Sequence, residues 1–143
     1  MSIIPKKLDA GKLPVVRGFI QRFPRAIYAV TKVSVVGTTK YEVPISDNSY
    51  AQVKDGYGRY TDAMGRHILD EAIQGAVNVE KGGALPPEGM ELFHAAQAAW
   101  DAMARLEIML IEQENYAKMQ EPRVLTNPQW PETASATISI TNA

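Results

Sequence analysis

The stretch Glu91–Leu110, "ELFHAAQAAWDAMARLEIML", decides the fold. Leu92, Ala96, Ala99, Met103, Leu106 and Leu110 alternate steps of four and three, which draws a narrow apolar seam along one side of a helix. The spacing predicts a helix that opens around Pro87, runs to Tyr116 or Met119 and stops before Pro122. Working back along the chain, "GRYTDAMGRHILDE" (Gly58–Glu71) places Ala63, Met64, His67, Ile68, Glu71 and Ala72 at helical spacing, which predicts a second helix from near Gly58 to about Gly75. An earlier helix is expected between Pro24, suited to a first turn, and Gly37, suited to an end, with Ile27, Val30 and Val33 on one face.

Between these elements the chain is punctuated. "GTTKYEVPISDNSYAQVKDGYG" is expected to be a long loop, and a loop of that length in a compact domain is usually functional or disordered. "GAVNVEKGGALPPEG" (Gly75–Gly89) breaks regularity again. Residues 1–22, with Pro5, Gly11, Pro14 and Gly18, are expected to form an extended arm, and residues 122–143 a loose tail in which "TISIT" alternates like a strand. These features predict one all-α domain over residues 1–121. Three helices with long arms bury their seams best by homo-oligomerisation, as a dimer or tetramer.

Composition narrows the function classes. A formal charge of −1 exerts no bulk attraction on nucleic acid or an anionic membrane, and neither is expected as a partner. The absence of cysteine excludes disulfides and thiolate metal sites. There is no bilayer-length apolar run and no basic-then-apolar leader pattern, so a cytoplasmic protein is the expectation. Sequence signatures of a P-loop, a serine-hydrolase elbow, an H-E-x-x-H zinc site and an adjacent His-Asp pair are all missing.

The remaining chemistry lies on the second and third helices. Glu91, His94, Gln97 and Asp101 fall in one sector, roughly opposite the apolar seam, with Glu88 one turn earlier. His67 and Glu71 are i, i+4 neighbours, and Arg66 and Asp70 form a second such pair alongside. An ordinary solvated helix face is the competing explanation. Against it, the sector is interrupted by Met90, Ala98 and Ala102, and both histidines of the chain have carboxylates one turn away. Several carboxylates in one cleft repel unless a cation holds them, and oxygen donors suit Mg²⁺ or Mn²⁺. Imidazole is a poor Mg²⁺ ligand, so His67 and His94 are expected to orient other groups or donate to phosphate. Lys40, Arg59 and Arg66 are the nearby cationic candidates for phosphate oxygens.

From Gly11 to Leu110 the sequence resembles the phage-type dATP/dGTP diphosphohydrolases, a branch of the all-α, MazG-like nucleoside triphosphate pyrophosphatases. The residues that carry the likeness are an ordered series: "GKLP", an amphipathic helix closing in "GTTKY", then "RYTDAMGRH", then a Pro-Glu-Gly turn opening "HAAQAAWDAMARLE". The resemblance implies a helical oligomer that binds Mg²⁺ between acidic residues of two antiparallel helices. It also implies cleavage of a purine deoxynucleoside triphosphate to monophosphate and pyrophosphate, in phage nucleotide metabolism. On this sequence it implies site positions at Lys40, Tyr41, Arg66, His67, Glu88, His94 and Asp101. Joined with the carboxylates read from spacing, the expected metal ligands are Glu71, Glu88, Glu91 and Asp101, and the expected substrate contacts are Lys40, Tyr41, Arg59, Arg66, His67 and His94. Glu71, one turn from His67, is the candidate general base, and Tyr41, Tyr57 or Trp100 the candidate to stack on the base. Three departures stand out: Gln97 where a second histidine is usual, a linker that leaves Glu80 and Glu88 competing for one acidic role, and no strict E-x-x-E and E-x-x-D pattern. The rival from another class is a non-catalytic helical assembly or nucleotide-binding protein.

Overall fold

A computed structural model describes residues 11–79 and 89–120. They form three α-helices: α1 (Pro24–Lys40), α2 (Gly56–Gln74) and α3 (His94–Gln120). A π-helical turn at Val16–Ile20 precedes α1, and a 3-10 turn at Ser49–Gln52 sits in the connection to α2. Among the described residues there is no strand, only an isolated antiparallel bridge between Val77 and Phe93. None of their helices is long and apolar enough to cross a membrane. The all-α expectation holds. Glu80 and Glu88, the first ten residues and the tail with "TISIT" lie outside the described residues.

Three boundaries differ from the sequence expectation, the first being α1, which runs past Gly37 to Lys40. Helix α3 opens at His94 rather than near Pro87, because the preceding backbone is committed elsewhere. The Asn78 N–H donates to the Leu92 carbonyl (2.8 Å) and the His94 N–H to the Ala76 carbonyl (3.0 Å), and groups used in a bridge are not free for a helix ladder. Within the described part of the N-terminal arm, Val16–Ile20 is helical instead of extended. Pro14 sits just ahead of that turn, where its missing N–H costs nothing, and its carbonyl accepts from the Gly18 N–H.

Helices α2 and α3 form an antiparallel hairpin. Gly75 ends α2 at φ +96°, a conformation that glycine adopts without strain, and the bridge to Phe93 then starts the return. The register is set at both ends. Tyr57 and Thr61 near the start of α2 receive the Arg105 guanidinium, while Gln74 at its end meets His94. At the start of α2, a Cβ on the buried Gly56 would lie 2.9 Å from Ile108 Cδ1, so a larger residue there would require the end of the Ile108 side chain to shift.

The buried stripe of α3 is not the expected seam. Its buried residues are His94, Ala96, Ala98, Asp101, Ala104 and Ile108, whereas Met103 and Leu106 are exposed (54% and 44%). Both stripes repeat with helical spacing, so periodicity alone does not choose between them. Ala98 and Ala104 lie on the buried side, where small side chains allow a neighbouring helix to approach closely, and Ala96 belongs to both stripes. The sector that carries His94 and Asp101 faces into the protein, as a site on two converging helices requires and a solvated face does not. The buried apolar residues are only Ala96, Ala98, Ala104 and Ile108 among the described ones, while Ile68, Leu69 and Ile73 of α2 are more than half exposed.

Helix α1 is rich in β-branched residues, which are indifferent helix formers. Thr31, Thr38 and Thr39 each return a hydroxyl to a carbonyl one turn back. The helix is held by α3, where Trp100 Nε1 donates to Ser34 Oγ at 2.8 Å.

Candidate functional site

A cleft of about 900 Å³ opens between α1, the loop that follows it, α2 and α3. Its walls include Tyr41 from the end of α1, Asp47 and Tyr50 from the loop, Arg59, Tyr60, Arg66 and His67 from α2, and Gln97, Trp100, Asp101 and Glu107 from α3. The loop that the sequence marked as long is thus one wall of the cleft. Asp47 fixes its turn by accepting from the Ser49 backbone N–H at 3.2 Å.

One side of the cleft is aromatic. Tyr50, Tyr60 and Trp100 meet edge to face, with ring centroids 5.5 to 6.4 Å apart. Desolvation raises the pKa of both tyrosines, so their hydroxyls stay protonated at any physiological pH. Arg59 and Arg66 line the same cleft with exposed side chains. They bring positive charge to an apolar surface, which suits a ligand with a flat ring at one end and anionic oxygens at the other.

On the α2–α3 side lie the two histidines and Asp101. Asp101 is 6% exposed, and its Oδ2 is buried with no hydrogen-bond partner. That oxygen lies 3.9 Å from His67 Nε2, beyond hydrogen-bond reach. Burial pushes the Asp101 carboxyl up to about 6, against a lowering influence of Arg66. His67 moves the other way: burial and the neighbouring His94 hold its pKa below the ordinary imidazole value. Behind it, His67 Nδ1 approaches His94 Nδ1 at 3.4 Å, and His94 Nε2 lies 3.1 Å from Gln74 Oε1. A carboxyl and an imidazole whose protonation states are both displaced toward neutrality can exchange a proton near neutral pH, the property wanted of an acid–base pair.

The residues singled out in the sequence fare unequally. Tyr41, Arg59, Arg66, His67 and Asp101 are brought together around the cleft. Lys40 is exposed at the end of α1, with Nζ 5.8 Å from the Tyr41 ring centroid and outside the cleft lining. His94 is 1% exposed, which removes it from contact with a ligand and leaves it an orienting part. Glu71 and Glu91 are exposed and do not line the cleft, and Glu88 lies outside the described residues. Tyr57 packs under Arg105, with its centroid 4.6 Å from the guanidinium carbon, and also stays out of the lining.

The expected four-carboxylate cation site is not assembled by the described residues of one chain. Among them, no three His, Asp or Glu side chains come together as metal ligands. The reason is where α3 begins: Glu91 precedes its first residue, His94, and so does not share the helix face that carries Asp101 towards His67. The orphaned Asp101 Oδ2 is a suitable single donor for a hard cation, but the ligand set around it is incomplete. What the described side chains supply by themselves is a proton-exchanging pair, two cations and an aromatic wall.

Sequence reasoning passed over Tyr50, Tyr60, Asp47, Glu107 and Gln74. Tyr60 lies inside the quoted "GRYTD" segment, and its step of seven to His67 was a usable signal for a shared face. Gln74 carried none.

Residues 5–118 match the family described as dATP/dGTP diphosphohydrolase, N-terminal. No curated protein and no solved structure matches the chain.

Proposed function

The chain belongs to the dATP/dGTP diphosphohydrolase family, and from that premise we propose that it cleaves purine deoxynucleoside triphosphates to the monophosphate and pyrophosphate. The observation that carries the reading is the buried, unpartnered Asp101 oxygen beside His67, in a cleft that also presents two arginines and an aromatic wall. In this reading Tyr41, Tyr50, Tyr60 and Trp100 receive the purine, and Arg59 and Arg66 hold the phosphates. A water beside Asp101 forms a bond to the α-phosphorus. The bond between that phosphorus and the α–β bridging oxygen breaks, and pyrophosphate leaves with the electron pair. The water's proton passes to the Asp101–His67 pair. Glu71, exposed on α2, has no part in this scheme.

Phosphoryl transfer of this kind draws on Mg²⁺ or Mn²⁺ for charge neutralisation, and metal dependence remains part of the proposal. Glu88 and the carboxylates of a second copy are the donors left to hold such an ion, beside the Asp101–His67 pair that takes the proton. A second copy is itself supported by the exposed apolar side chains Ile68, Leu69, Ile73, Met103 and Leu106. Sedimentation should report a homodimer or homotetramer; a monodisperse single chain at micromolar concentration would remove that element.

The function is tested by incubating the protein with each ribo- and deoxynucleoside triphosphate plus Mg²⁺ or Mn²⁺ and separating the products. The expected result is monophosphate and pyrophosphate from dGTP and dATP, lost when EDTA is added. Saturable binding without product would favour a nucleotide-holding protein. Neither binding nor product would favour a structural subunit. Turnover that persists in excess EDTA would discard the metal and keep the enzyme.

A further inference from the structure

The α2–α3 interface contains a file of polar groups that the proposed reaction does not by itself require: Gln74, His94, His67 and Asp101. The successive separations are 3.1 Å (Gln74 Oε1 to His94 Nε2), 3.4 Å (His94 Nδ1 to His67 Nδ1) and 3.9 Å (His67 Nε2 to Asp101 Oδ2). We propose that Gln74 is a positioning residue: its carbonyl oxygen fixes the tautomer of His94, His94 fixes that of His67, and the His67 Nε2 lone pair is thereby aimed at Asp101 in the cleft.

Donor and acceptor capacity dictates the two tautomers. An amide oxygen only accepts, so His94 Nε2 must carry the hydrogen. A neutral imidazole holds one ring hydrogen, and the polar contacts of the 1%-exposed His94 ring are the Gln74 amide oxygen and His67 Nδ1. Its Nδ1 is then an acceptor, and His67 Nδ1 must donate to it. His67, neutral in turn, is left with a bare lone pair on Nε2. Across from that lone pair is the orphaned Asp101 oxygen, also bare when ionised. Two acceptors facing each other repel, which accounts for the 3.9 Å gap and the absence of a partner on Oδ2. One proton between them would satisfy both. The file thus keeps a place for a single proton at the cleft, beside the position assigned to the attacking water. Were His67 Nε2 instead to carry the hydrogen, it would donate to Asp101, and the place between the two would already be filled. Gln74 is exposed in the last turn of α2, so its substitution alters the end of the file without opening the core.

The catalytic consequence rests on the proposed function; the tautomer assignment does not, and its test needs no substrate. The chain has two histidines, so both rings can be assigned in a long-range ¹H–¹⁵N correlation spectrum near pH 7.5. The expected pattern is a protonated Nε2 with a bare Nδ1 for His94, and the reverse for His67. In Gln74→Leu both rings should shift to tautomer mixtures. If the assay yields a turnover, kcat should fall about tenfold in Gln74→Leu with KM unchanged, the size typical of removing a group that orients another. The opposite tautomers in the wild type, or an unaltered pattern in Gln74→Leu, would overturn the proposal. Absence of turnover beside the expected pattern would fault the function and leave the file intact.

Discussion

Replacing Asp101 by Asn should make the protein more stable and less active at once. Burial raises this carboxyl from the ordinary 3.8 to about 6, so the folded chain binds a proton more tightly than the unfolded chain. By linkage, a group with this sign contributes stability that is fully present below the unfolded value and is lost as pH rises through about 6. Above that, the ionised side chain is a standing cost. A displacement of that size corresponds to ~2–3 kcal/mol at about 1.36 kcal/mol per pH unit. Asn is nearly isosteric, stays neutral and can donate to His67 Nε2. Denaturant unfolding at pH 8 should therefore show Asp101→Asn more stable than the wild type by ~1–3 kcal/mol, with the difference vanishing near pH 4. The His67 contribution, whose pKa is lowered, has the opposite slope; comparing wild type with variant at each pH isolates the Asp101 part. Turnover of dGTP should fall by ~10²–10⁴, the range associated with losing a positioned acid–base group. A variant that is less stable at pH 8 would mean that Asp101 has a stabilising partner in the assembled protein.

Trp100→Ala should have the second largest effect, chiefly on folding. This side chain joins three parts of the molecule: its indole N–H reaches Ser34 on α1, and its ring packs on Tyr50 of the loop and Tyr60 of α2. Truncation leaves a void among them and an unpaired Ser34 hydroxyl. The expected loss is ~2–4 kcal/mol, near the lower part of the range for large aromatic truncations because the indole is only half-buried. In a protein whose described core holds one aliphatic side chain larger than alanine, that is a large share of net stability. Ser34→Ala removes only the hydrogen bond and should lose about 1 kcal/mol, and Trp100→Phe, which removes the bond and the volume of the pyrrole ring, should fall between that value and Trp100→Ala. Where the truncated protein still folds, KM for dGTP should rise at least fivefold from the loss of a stacking surface, with a smaller change in kcat. An unchanged KM would take the purine away from the aromatic wall.

Particular residues show what was legible in the sequence and what was not. The three helices were legible because Pro24, Gly75 and the repeating apolar positions mark ends and faces that local chemistry enforces. The site was legible only in part. His67 and Asp101 were picked out by spacing, and the structure brings them together. The carboxylate cluster was drawn on a helix that opens near Pro87 and so carries Glu91 on the same face as Asp101. The backbone bridge between Val77 and Phe93 delays the start of α3 to His94. Glu91 then stands before the helix, and His94 is buried beside His67 and Gln74. Tyr50 and Gln74 were illegible for a different reason: each acts through a contact with a residue at least 20 positions away, and no local pattern encodes such a meeting.

In the proposed reaction everything turns on the Asp101–His67 pair taking the proton of the attacking water. The pH dependence of kcat/KM for dGTP tests this most directly, because that ratio reports the titration of the free enzyme. Protonating Asp101 occupies the place that the water's proton would take, so kcat/KM should decline on the acid side with a midpoint of about 6, while the protein remains folded. Full activity maintained to about pH 5, with a decline only toward the ordinary carboxylate range, would contradict it.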